Sequence, residues 1–308
     1  MITETQRTER RRFIGSSDIA ALFTGPDGKS LDPFKTAADV WATKVFDFDE
    51  STASPSMKTG IRWEPYIIGW AAEQLGVEVE TDPDRLRFVC ELHPLFASNL
   101  DGYAVINGEH VIIEAKKTRM AAEWGEPGTD QIPYRVILQV HVQMLCTGWG
   151  RAYVAAMIQG EECLYEVTRD ERIIAAIIRR GEEFWNENVL PKIPPADCEP
   201  ADLDILKRIR RIPETYADID TELVTAWETA KANRLEAEKR EDAAFATLLT
   251  YVGDAEGVML PDGREFTYFK QRGADKVDMK RLKTEWPDVY AATSKPNEYR
   301  VARIRTVN

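Results

Sequence analysis

His110-Val-Ile-Ile-Glu-Ala-Lys-Lys117, a short apolar run that ends in charge, is the stretch whose reading decides the fold. As a strand it alternates faces, so Ile112, Glu114 and Lys116 share one side while Val111, Ile113 and Ala115 share the other. A carboxylate and an ammonium two residues apart on a half-buried strand carry a desolvation cost that a partner or a function must offset. Thirteen residues before Glu114 stands Asp101, in Ala97-Ser-Asn-Leu-Asp-Gly-Tyr103. That segment reads as a neighbouring strand, and Asn107-Gly108 supplies the tight turn between them. Such a hairpin brings Asp101 and Glu114 close enough to bind one hard cation, with Lys116 beside them.

Strand signals at 85–89, 96–105 and 110–116 surround this motif. Before it, Met57 to Gly76 spaces its apolar residues as a helix that Gly76 stops. Pro65 should kink that helix or mark its first turn, and Glu64 sits at the irregularity, near the apolar face with Ile67 and Ile68. After it, a Gly/Pro-containing loop over 118–130 leads to a helix over 133–146. There Gln139 and Gln143, four apart, share a face, and amides in so apolar a helix need partners. Runs 152–158 and 163–167 around Gly160 predict a second hairpin, and Asp170 opens another helix. Nearer the start, Pro33 to Val45 reads as a short helix and 47–56 as a polar loop. Arg10-Arg-Arg-Phe-Ile-Gly-Ser-Ser17 leads into a helix start, with Ser16 or Ser17 as the cap. A basic cluster before a Gly-Ser-Ser helix N-terminus can hold a phosphate; the same residues also fit a capped helix with a solvated arginine tail.

The Pro-rich segment 191–200 divides the chain, giving a domain over 1–190 and an extension over 201–308. In the extension, 202–211 and 214–252 read as helices, the second with an apolar stripe suited to core or helix-pair packing. A hairpin around Pro261-Asp-Gly263, a helix near 277–285 and a strand near 299–305 complete it. The net charge of −12 argues against a uniformly basic nucleic-acid binder, but 264–305 carries eleven Lys and Arg against six Asp and Glu. No apolar run reaches the ~18 residues of a membrane span and the N-terminus has no signal-like core, so a cytoplasmic protein is expected. Cys90, Cys146, Cys163 and Cys198 and the three histidines lack zinc or iron–sulfur spacing, so neither is expected and any metal should be oxygen-ligated.

Gly60-Ile-Arg-Trp-Glu64, Asn99-Leu-Asp101-Gly, Glu114-Ala-Lys116 and Gln139-Val-His-Val-Gln143-Met resemble the motifs of the YqaJ-type viral recombinase nucleases. That group includes phage lambda exonuclease and RecE-like phage exonucleases, within the PD-(D/E)XK superfamily. The resemblance covers about residues 10–190 and implies an α/β restriction-endonuclease-like core, a central mixed sheet flanked by helices. It implies that Asp101, Glu114 and the carbonyl of Ala115 bind divalent metal, Mg²⁺ with Mn²⁺ as substitute. Glu64 is then the extra acid that holds a water, Lys116 the lysine that orients the nucleophile, and Gln139 the glutamine of the following helix, with Tyr134 and Gln143 in support. Arg10, Arg11 and Arg12 with Ser16 and Ser17 occupy the place of the 5′-phosphate site, and Ser98 lies one position from the matching serine. The implied activity is 5′→3′ digestion of one strand of linear duplex DNA in a bacterial host cell. Implied partners are duplex ends, a RecT/Beta-like annealing protein and further copies in a trimeric or tetrameric ring.

The metal motif alone equally suits a structure-specific or restriction-type endonuclease. A non-catalytic DNA-binding scaffold usually lacks a metal ligand or the lysine, and here all four residues are present. An iron–sulfur nuclease needs a cysteine trio that this chain lacks. The extension serves either oligomerisation and DNA or partner contact, or simple packing.

Overall fold

Asn107 and Gly108 both take positive φ, 52° and 83°, the mirror-image turn whose twist suits two antiparallel strands. In the computed structural model, which describes residues 9–48, 55–196, 198–273, 276–294, 302 and 304, this turn joins β5 (Gly102–Ile106) to β6 (Glu109–Thr118). The register sets Gly102 opposite Ile113 and Ile106 opposite Glu109. From β6 the chain crosses over through α3 (Tyr134–Thr147) to β7 (Arg151–Ile158), which pairs with β6 in parallel. A parallel pair requires a crossover of this kind. The hairpin partner β8 (Glu161–Thr168) and, at the other edge, β2 (Val79–Glu80) complete a mixed sheet of order β2-β5-β6-β7-β8.

The alternation along β6 feeds two cores. Ile112 packs with Val136, Val140 and Met144 of α3. Val111 and Ile113 pack on the opposite face with Ile67, Ile68 and Ala71 of α2 (Pro55–Leu75). The α2 helix runs unbroken through Pro65. Its ring deprives the carbonyl of Ile61 of a bond, but both residues are exposed, so water can replace that bond.

A second, three-stranded sheet places β1 (Ile14–Gly15) parallel to β4 (Phe96–Asn99), with β3 (Arg87–Val89) antiparallel on the far side. The single strand expected over 96–105 is therefore two, in different sheets. Leu100 breaks the run: its side chain enters the core under α3 and its N–H bonds to Leu86 O at 2.9 Å. The helix expected after Ser16-Ser17 is one 3₁₀ turn, Ile19–Leu22, and Asp18 before it makes no side-chain cap. By contrast α1 (Ala37–Val45) is opened by a full capping box between Thr36 and Asp39. Asp170 caps α4 (Glu171–Phe184), which continues as a π turn over Trp185–Val189. Cys90 and Cys146 lie in the core beside β4, where burial pushes the Cys146 thiol up to about 12.

The chain divides into two compact units between Thr215 and Tyr216, later than the Pro-rich segment. Residues 201–215 stay with the first unit because they have specific partners there. The N–H of Asp202 reaches Asp39 Oδ1 at 2.6 Å, and buried Ile209, just after α5 (Leu203–Lys207), bridges to Phe48. The second unit contains α6 (Thr221–Val252), the antiparallel pair β9 (Gly257–Met259) and β10 (Glu265–Thr267), then α7 (Met279–Glu285) and α8 (Pro287–Thr293). The strand expected near 299–305 lies outside the described residues apart from 302 and 304. Among the described residues no helix is long and apolar enough to cross a membrane.

Candidate active site

Glu114 is the centre of the site. Its side chain is buried on the α3 face of β6, and three donors converge on it. Gln139 Nε2 donates to Oε1 at 2.6 Å, Gln143 Nε2 donates to Oε2 at 2.6 Å, and the Lys116 ammonium ion-pairs with Oε1. The helical spacing of the two glutamines aims both amides at one carboxylate, which answers what those amides bond to. The second oxygen of Gln143, Oε1, is buried without a partner.

Asp101 comes from the break between β4 and β5, where Gly102 lets β2 approach. A Cβ at Gly102 would stand 2.7 Å from Val79 Cγ1. The backbone N–H of Ala115 donates to Asp101 Oδ2 at 2.9 Å, tying the aspartate to the strand that carries Glu114 and Lys116. Burial, then the charge of Glu114, hold the Asp101 carboxyl well above the usual carboxylate range, only partly offset by Lys116. Glu64, half-buried on α2, is raised in the same way by burial and by Glu114. Burial pulls the Lys116 ammonium down, but Glu114 and Asp101 outweigh it and the group ends above its ordinary value. Three carboxylates thus share one lysine, and the charge of Glu114 raises the cost of ionising Asp101 and Glu64.

The expected phosphate element splits into parts. Pairing of β1 with β4 carries Ser16 alongside Ser98, and Ser98 Oγ donates to Ser16 Oγ at 3.0 Å, both residues buried. Ser98 is three residues from Asp101, at most about 10 Å along the backbone. Ser17 is exposed, and its carbonyl accepts from Lys35 Nζ at 3.3 Å. Arg11 is paired with Asp47, while Arg10 and Arg12 are exposed. Beneath them Asp18 bridges Lys35 (3.0 Å) and Lys44 (2.8 Å). Burial alone would raise its pKa, yet the two ammoniums hold it far below the usual carboxylate range. Tyr134 stands 72% exposed on the first residue of α3.

Sequence reasoning missed Arg135. It lies one turn before Gln139 on α3, ion-pairs with Glu123 at 2.5 Å, and its charge acts on Lys116. The signal was present as Arg135-x₃-Gln139-x₃-Gln143, a helical row of donors ending on Glu114. Lys35 and Lys44 were also missed, because only the fold sets them against Asp18.

Residues 7–150 match the model of the YqaJ-like viral recombinase domain. Every residue around Glu114, and the Ser16–Ser98 pair, lies within the matched residues. A curated relative, "Uncharacterized protein YqaJ" of Bacillus subtilis (strain 168), is 26% identical over 97% of this chain and 93% of its own length. Its likeness therefore runs past residue 150 into the second unit. Among solved structures, the alkaline exonuclease LHK-Exo from Laribacter hongkongensis, crystallised with dAMP, is 19% identical, covers 62% of this chain and 94% of its own, and has a TM-score of 0.48. A phage-related exonuclease from Haemophilus somnus 129PT is 12% identical over 58% of this chain and 96% of its own, with a TM-score of 0.44.

Proposed function

We propose that the chain is a metal-dependent 5′→3′ exonuclease that digests one strand of linear duplex DNA and leaves a 3′ single-stranded tail for annealing-type recombination. One observation supports this reading: Glu114 is fixed by Lys116, Gln139 and Gln143 while Asp101 is tied to the adjacent Ala115 N–H, so two carboxylates and a lysine are drawn together at β6.

The donor set fits a hard divalent cation. Among the described residues no three His, Cys, Asp or Glu side chains form a ready cage. A pair of carboxylates with the carbonyl of Ala115 is nevertheless what Mg²⁺ commonly takes from a protein, the rest coming from water and substrate phosphate. Such an ion, when bound, would acidify a water and offset the charge of the phosphodiester. The chain's own groups do the rest. Lys116 places a compact cation beside the nucleophile, Glu64 accepts a hydrogen bond from the attacking water, and the two glutamines keep Glu114 from turning away.

Ser16 and Ser98 would receive the terminal 5′-phosphate, with Arg10 or Arg12 supplying charge. A RecT/Beta-like annealing partner and a trimeric or tetrameric ring extend the reading. Failure of such a protein to co-purify, or a sedimenting species smaller than a trimer, would remove those extensions alone.

The test is digestion of linear duplex bearing a 5′-phosphate or 5′-hydroxyl, beside a closed circle, in Mg²⁺ or EDTA, with wild type against Lys116→Ala. Phosphate-stimulated, Mg²⁺-dependent loss of the 5′-ended strand, absent from the variant, is expected. Cutting of the circle would reassign the protein as an endonuclease. Binding without cutting would make it a scaffold.

A further inference from the structure

The 32-residue helix α6 displays a seam that its own unit leaves largely uncovered. Counting in sevens, one edge of the seam is Val224, Lys231, Glu238, Phe245 and Val252; the other is Trp227, Arg234, Glu241 and Leu248. Within the unit Val252 is buried and Tyr268 meets Phe245 edge to face, but Trp227, Phe245 and Leu248 remain 44%, 41% and 36% exposed. The centre of the seam is wholly ionic.

Charge decides what can cover it. A parallel second helix in register would set Lys231 on Lys231, Arg234 on Arg234, Glu238 on Glu238 and Glu241 on Glu241, four like-charged layers in a row. An antiparallel second copy centred on Glu236 gives the opposite result. It sets Val224 against Leu248, Trp227 against Phe245, Lys231 against Glu241 and Arg234 against Glu238, each pair occurring twice by symmetry. Apolar layers then close both ends, and opposite charges meet in the middle. The residues flanking one side of the seam after Leu223 are Ala230, Ala237 and Ala244, small enough for two helices to approach closely.

We infer that α6 is a self-association arm, which pairs with α6 of a second copy of this chain as an antiparallel two-stranded coil about Glu236. Ionic layers contribute little stability but select orientation, because the alternative register leaves charges of one sign together. Paired over its length of about 48 Å, the arm would hold two copies of the first unit on one assembly. The inference rests on α6 alone and stands whether or not the nuclease reading does.

The experiment is a charge exchange in the full chain, followed by sedimentation equilibrium across a concentration series. Lys231 and Glu241 are both exposed, so their exchange leaves the fold intact, and circular dichroism of every variant checks that. Lys231→Glu puts glutamate against glutamate in both symmetric layers, and Glu241→Lys puts lysine against lysine. Each single variant is expected to weaken association about tenfold or more, and the double exchange to restore it to within about threefold. Lys231 also lies over the Trp227 ring at 5.2 Å, so Glu241→Lys is the cleaner single variant. A wild-type chain that does not self-associate, single variants indistinguishable from wild type, or a double variant no better than the singles would each overturn the inference.

Discussion

Two ionic clusters in the first unit have opposite charge balances. At Asp18 one carboxylate faces two ammoniums, those of Lys35 and Lys44. Around Glu114 three carboxylates, of Glu64, Asp101 and Glu114, share the single ammonium of Lys116. Burial is common to both, so it cannot explain why one carboxyl is held far below its ordinary range while Asp101 and Glu64 are pushed above theirs. The charge count explains it. The first cluster is a closed clamp with positive charge to spare, close to two buried serines and exposed arginines. The second has negative charge to spare, which an added proton or an added cation would offset.

The sharpest way to break this contrast is Asp101→Asn. Removing one of three crowded charges should abolish nuclease activity, by about 10³-fold or more, while leaving the melting temperature equal or higher. The amide oxygen can still accept from the Ala115 N–H, so folding has little to lose. Digestion assays beside calorimetry check both halves. A large loss of stability would show that the second cluster is a clamp like the first.

Asp18→Asn should do the reverse. It strands two ammoniums, one of them nearly buried, and breaking a pair of this kind costs about 3 kcal/mol. Urea unfolding should show that loss, and the variant's remaining folded fraction should keep its turnover. Unchanged stability would mean that solvent already screens the lysines.

These clusters also mark how far the sequence could be read. The Asn107-Gly108 turn and the alternation of Ile112, Glu114 and Lys116 are local patterns that the structure bears out, whereas the shared face of Gln139 and Gln143 called for partners without naming Glu114. The break at Leu100 was invisible because apolar alternation continues through it; only the core under α3 and the Leu86 carbonyl draw Leu100 out of line. The opening helix was over-read for a related reason. Ser16 is a good cap in isolation, but Ser98 engages it, and Asp18, which precedes the turn instead, is held by two lysines. Partners 17, 26 and 82 residues away leave no trace in local spacing. The boundary between the two compact units likewise falls beyond the Pro-rich segment, since the partners of 201–215 lie at Phe48 and Asp39.

A smaller effect tests whether the positive surplus serves the DNA end. Ser16→Ala should cost about tenfold in kcat/KM on 5′-phosphorylated duplex and leave 5′-hydroxyl duplex unchanged, because a hydrogen bond to a charged group is lost only where the phosphate is present. Equal losses on both ends would make the Ser16–Ser98 pair a packing contact.

The smallest effect separates a third polar group from both clusters. His141 is buried on α3, its Nδ1 2.7 Å from the Ile137 carbonyl, and the Asp170 N–H donates to its Nε2 at 3.1 Å. An N–H pointing at Nε2 requires a lone pair there, so the ring is neutral with its proton on Nδ1. Burial, chiefly, lowers its pKa from the ordinary 6.5, although Asp170 pulls the other way. The unfolded chain therefore binds a proton before the folded one does. Stability is complete above about pH 6.5 and declines as the pH falls from there towards the lower folded value. The depressed Asp18 carboxyl gives its own loss only below about pH 3.9, as the pH falls towards a still lower folded value. Urea midpoints at pH 8, 6.5 and 5 should show a decline that His141→Gln flattens, whereas Asp18→Asn lowers all three midpoints alike. If His141→Gln keeps the wild-type slope, the decline does not come from His141, and it cannot come from Asp101 or Glu64 either, because carboxyls raised in the folded chain bind protons there first and favour folding as the pH falls.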